Sequence, residues 1–106
     1  MRGPYLLRPL QVDISVPTRV GGVYCLGKSP REVRFVGAAE RNLREAIKSH
    51  WKMYEFFWYR TTLSMRECYS VQCQMFHKQM NNGGLDVTDH PVAPPGVDEK
   101  CPVCGK

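Results

Sequence analysis

At 106 residues, 42% hydrophobic and with a formal net charge of +5, the chain has the length of one domain, and no apolar run is long enough to span a bilayer. Five cysteines are an odd number, which excludes a fully paired disulfide framework and favours a reducing compartment. Met1-Arg2-Gly3-Pro4-Tyr5 carries no long apolar stretch behind its charge, so the expectation is an intracellular protein, cytoplasmic or nuclear and not secreted.

In chain order, Leu10-Gln11-Val12-Asp13-Ile14-Ser15-Val16 alternates apolar and polar residues, which predicts a half-buried strand ended by Pro17. Residues 21–28 (GGVYCLGK) read as a second strand and Ser29-Pro30-Arg31-Glu32 as a tight turn. Residues 33–37 (VRFVG) return as a third strand, giving a hairpin. From about Asn42 to Trp51 the period becomes helical, with Leu43, Ala46, Ile47, His50 and Trp51 on one stripe. Residues 56–60 (FFWYR) form a short aromatic strand, too aromatic for one face; core is the favoured expectation for these rings, with exposure of alternate ones for stacking on bases as the other reading. Ser64-Met65-Arg66-Glu67 fits a capping box for a second helix. That helix runs to about Met80 and stops at Asn81-Asn82-Gly83-Gly84. Residues 81–100 lack periodicity and lead as a loop to the terminal Cys-Pro-Val-Cys-Gly-Lys. The expected architecture is α+β: a small central antiparallel sheet with flanking helices, an extra N-terminal strand and a C-terminal knuckle. Residues 1–106 form one domain, with 1–20 as N-terminal extension, 21–80 as core and 81–106 as loop and knuckle.

Cys101-Pro102-Val103-Cys104-Gly105 has the shape of half a zinc site, because two thiolates this close share one tetrahedral metal. Cys73 and His77 lie four apart on the predicted helix and leave it from one face. Cys73, His77, Cys101 and Cys104 therefore compose the expected ligand set of a structural zinc that ties the tail to the last helix. His90 is the second-choice ligand, and Cys25 and Cys68 are expected as small buried hydrophobes.

Gly22-Val23-Tyr24 and Phe35-Val36-Gly37 fall on paired strands ahead of a Leu-x-x-x-Ile-x-x-His helix and a later helix. In this the chain resembles the GIY-YIG nuclease superfamily over roughly residues 21–77. Residues 71–77 (VQCQMFH), His90-Pro91 and the terminal Cys-Pro-x-Cys are similar, in order, to motifs of part of that superfamily. The resemblance implies a ββαβα core and phosphodiester hydrolysis, an endonuclease. Hairpin tyrosines would orient or deprotonate a water, a helix arginine would hold the phosphate, and a glutamate would bind one Mg or Mn ion.

Carried over residue by residue, the implied site is incomplete. Tyr24 and His50 are present; Phe35 keeps a ring and loses its hydroxyl; the arginine position falls on Ala46 and the glutamate position on Gln72. An amide oxygen is a poor ligand for a hard cation, and losing a transition-state arginine costs on the order of three to five decades of rate. Arg41, just ahead of the helix, is the best substitute cation, since Arg44 lies on the far side; Glu67, the nearest carboxylate, already has the capping box to satisfy. Hydrolysis is thus expected to be impaired as the chain is written, whether natural drift or replacement put Ala46 and Gln72 there. Catalytic Mg or Mn would matter only if the site works. Cations concentrate in the first sixty residues, so Arg34, Arg41, Arg44 and Lys48 are the expected nucleic-acid contacts, with DNA ahead of RNA. The alternative is a non-enzymatic, zinc-stabilised protein-interaction module.

Overall fold

The computed structural model describes residues 1–105; Lys106, the last residue of the expected knuckle, lies outside them. The elements run β1 (Arg2–Leu6), α1 (Pro9–Ser15), β2 (Gly21–Gly27), β3 (Phe35–Ala39), α2 (Leu43–Lys48), β4 (Phe56–Thr62) and α3 (Met65–Asn81). All strand pairs are antiparallel, in the order β1-β4-β2-β3. From Gly21 onward the expected β-β-α-β-α succession is present, and the hairpin turn is closed by the Ser29–Glu32 bridge. No helix among the described residues is long and apolar enough to cross a membrane.

The first expected strand is a correction. Residues 10–16 fold as helix α1, and the N-terminal strand is instead Arg2–Leu6, paired with β4. Pro9 at the first helical position needs no amide partner and has its φ preset for a helix. Only Val12 and Val16, one helical turn apart, are buried, whereas Leu10 and Ile14 are 72% and 73% exposed. A strand would have buried all four. The first-helix stripe is also shorter than expected: α2 ends at Lys48, and Trp51 stands outside the core, 46% exposed, with Lys52 Nζ 4.9 Å from its ring centre.

The sheet has two different faces. On one, Tyr24, Leu26, Phe57 and Tyr59 pack with Leu43 and Ile47 of α2 and with Val12 and Val16 of α1. On the other, Val23, Val36 and Ala38 meet Cys68 and Val71 of α3. The aromatic run splits by strand alternation, with Phe57 and Tyr59 buried on the α1–α2 side and Phe56 and Trp58 half-buried. The Ser64 half of the capping box forms as expected, with Glu67 N–H donating to Ser64 Oγ at 3.1 Å, while Glu67 Oε1 accepts at 2.9 Å from the N–H of Leu63, one residue before the cap. The loop after α3 is pinned to the sheet edge. Asp86 N–H donates to the Arg34 carbonyl at 2.7 Å, while the Asp86 carboxylate accepts from Arg34 and Tyr54.

Candidate functional site

The loop pinned at Asp86 returns along α3, and its far end brings together His77, His90, Cys101 and Cys104. Their four donor atoms all lie within 4.8 Å of one another, a group positioned to bind a metal ion. The two imidazole Nε2 atoms are 3.3 Å apart, and Cys104 Sγ is 3.2 Å from His90 Nε2. A tetrahedron with metal–nitrogen bonds of about 2.0–2.1 Å has an edge of about 3.3 Å. His90 Nδ1 lies 2.7 Å from the Pro91 carbonyl oxygen, which can only accept. Nδ1 therefore carries the proton and Nε2 presents its lone pair to the centre.

The knuckle prepares its sulfur electrostatically. Gly105, at φ +76°, lets its N–H close the turn onto the Cys101 carbonyl at 2.9 Å. Burial raises the Cys101 pKa, but the backbone amides of Cys104 and Val103, with His90 and the Cys104 side chain, outweigh it and bring the thiol down to about 5. That favours the thiolate a metal needs.

Cys73 does not belong to this group; His90 takes its expected place. Cys73 is fully buried and packs with Tyr69 and Cys101, sealed by Ala93 and Val97, and burial pushes its thiol up to about 12. The loop carrying His90 folds over Cys73 and delivers an imidazole from outside. The adjacent Pro91 carbonyl that fixes this imidazole is a contact spacing alone does not display.

On the α1–α2 face of the sheet, Tyr24 of β2 meets His50, which follows the end of α2. Tyr24 Oη is 3.1 Å from His50 Nε2, and Phe35 closes the cluster, 6.0 Å from the Tyr24 ring centre and 4.8 Å from that of His50. Gly37 makes room, since a Cβ there would lie 2.6 Å from Tyr24 Oη. Burial pushes the Tyr24 phenol up to about 12 and lowers the His50 imidazole, so both are neutral at pH 7. The phenol and Nε2 share one hydrogen bond, and the buried Nδ1 has no partner among the described residues.

The other expected positions do not converge on that pair. Ala46 packs against the α1–α2 core. Gln72 sits on α3, over the opposite face of the sheet, in a groove of about 230 Å³ with Ala38, Cys68 and Tyr69. Glu40 lines the same groove and is a carboxylate that spacing from the helix motif did not reveal.

Three of the four expected nucleic-acid cations are engaged. Arg34 pairs with Asp86 at 2.8 Å and with Glu32 at 3.2 Å. Arg44 donates to the carbonyls of Asp13 and Val16, capping α1, and Lys48 pairs with Asp13 and Glu45. Arg41 is exposed and forms no ion pair among the described residues. In comparisons with known proteins, no family model matches the chain, and no curated protein or solved structure is significantly similar to it.

Proposed function

We propose that the chain is a nucleic-acid-binding domain of the GIY-YIG nuclease type, stapled by a structural zinc and impaired in hydrolysis. The observation that carries this reading is the Tyr24–His50 hydrogen bond, 3.1 Å long between residues 26 apart. The resemblance named these two residues from separate motifs, and they meet from β2, the first strand of the hairpin, and from the turn that follows α2. Impairment is supported by what surrounds them: a phenol held neutral, Ala46 where a phosphate-holding arginine would stand, and Gln72 across the sheet. Zinc is supported by two thiols and two imidazoles, a soft and borderline donor set that hard cations do not favour.

Mobility shifts with a DNA duplex and with a single strand test the reading. Binding at about 50 mM salt should fall steeply as salt rises, and nicking of plasmid with magnesium or manganese should stay at background. No binding of either DNA form at low salt overturns the nucleic-acid assignment, and robust nicking overturns the impairment. The absence of binding would favour a protein-interaction module, for which Leu10 and Ile14, one turn apart and exposed on α1, supply an apolar contact surface.

A further inference from the structure

Free cations gather away from the expected basic side. Arg31, Lys78 and Arg60 are exposed and form no ion pair among the described residues. They lie along a run of three grooves, two of them bordered by α3 and the third, past Arg60, turning toward the end of α1 at Ser15 and Pro17. A groove of about 430 Å³ between the hairpin turn and the end of α3 is lined by Arg31, Trp58, Lys78, Gln79 and Asn82. Lys78 also borders the next groove, of about 230 Å³, with Arg60 and Gln74, and Arg60 borders a third with Arg2. Among the described residues, the only acidic one lining these three grooves is Glu32, which Arg34 neutralises.

Trp58 is the aromatic element of the first groove. A Cβ at Gly3 of β1 would fall 2.9 Å from its Cδ1, and one at Gly27 of β2 would fall 3.2 Å from its Cζ3. The indole therefore occupies space that side chains on both flanking strands would otherwise take, and its remaining surface lines the first groove. An aromatic surface followed by spaced, unpaired cations matches the chemistry of a single strand: a base offers a π-face and the backbone a phosphate every nucleotide. A duplex keeps its bases stacked on each other and has no ring to offer Trp58.

We propose that the Trp58 groove is a base-stacking subsite for single-stranded nucleic acid, with the strand's phosphates running past Arg31, Lys78 and Arg60. This rests on the nucleic-acid reading above and names the surface and the strand form.

The two tryptophans, Trp51 and Trp58, allow a direct readout. In a Trp51→Phe background Trp58 is the only indole, and titration with a short oligothymidylate should quench its fluorescence and shield it from acrylamide. Trp58→Leu should weaken oligothymidylate binding roughly 5- to 100-fold, Trp58→Phe should recover part of the loss, and Lys78→Glu should lower the salt dependence. The fluorescence readout needs no change at Trp58, so poor folding of the leucine variant leaves the test intact. Saturating oligothymidylate with no change in Trp58 emission or shielding overturns the subsite and leaves the nucleic-acid reading standing. Binding of duplex alone does the same. Failure of both DNA forms to bind removes the reading and the subsite together.

Discussion

The end of α3 and the Tyr24–His50 pair place an imidazole nitrogen at nearly the same distance from another polar atom, 3.2–3.3 Å in the first and 3.1 Å in the second. Their surroundings differ in kind. At the tail, two imidazoles and two thiols converge on one point, and Cys104 opens to solvent. Under α2, the phenol and imidazole face one another and are walled by Phe35 and the α1–α2 core. A donor set that needs an outside group leaves its lone pairs convergent. A pair whose members face one another closes on its one hydrogen bond, leaving His50 Nδ1 without a partner among the described residues, and burial then holds both members neutral.

The largest break in that comparison should come from the tail. Cys101→Ser removes the sulfur toward which the Val103 and Cys104 amides point, and metal analysis should find the zinc lost. The stability lost is about 4 kcal/mol where free zinc exceeds the wild-type Kd a thousandfold, read as a lower urea midpoint and faster proteolysis after Asn82. The discriminating pair is His90→Ala against Cys73→Ala. His90→Ala should lower metal affinity at least tenfold, whereas Cys73→Ala should keep one zinc per chain and lose only packing. Loss of zinc from Cys73→Ala with retention in His90→Ala would restore the ligand set expected from spacing alone.

A smaller effect should come from closing the space behind Tyr24. In Gly37→Ala the new methyl would stand 2.5 Å from Tyr24 Cζ and 2.6 Å from its oxygen, so the ring must shift and the His50 hydrogen bond lengthen. The expected cost is about 3 kcal/mol, measured by urea unfolding, with zinc content unchanged. An unperturbed midpoint would mean that the ring is not held in the described position.

What the sequence displayed and what it hid divide along the range of the interactions. The hairpin, its turn and the Ser64–Glu67 cap were legible because each depends on residues within a few positions. Helix α1 was misread because Val12 and Val16 are four apart, a spacing that serves both a period of two and one of 3.6. Residues 2–6 were hidden as a strand by Gly3 and Pro4, which weaken a strand pattern. His90 is only a second-choice ligand by sequence because a loop has no periodicity; its aim comes from the Pro91 carbonyl and the chain fold. Arg44 and Lys48 looked free because Asp13, more than thirty residues away, neutralises them only in three dimensions.

The smallest effect is a pH limb, and it tests whether the Tyr24 pair is closed. Burial raises the Tyr24 pKa from 10.0 to about 12. A raised folded-state pKa contributes stability in full below the unfolded value and loses it as pH rises through the folded one, so the window is about pH 10 to 12. A two-unit shift on this 5%-exposed residue is worth about 2–3 kcal/mol at most. The His50 shift is downward, so its contribution is present above the ordinary histidine range and erodes as pH falls through that range. Urea midpoints should therefore form a plateau near neutrality with a limb on each side. Tyr54 and Tyr69 are also raised by burial, so Tyr24→Phe should flatten the alkaline limb by its share and not abolish it. It should also lower the plateau by about 1–2 kcal/mol, because His50 Nε2 loses its partner while Nδ1 already has none. An alkaline limb of unchanged size in Tyr24→Phe would mean that the phenol reaches solvent, and the contrast with the tail would then rest on the metal ligands alone.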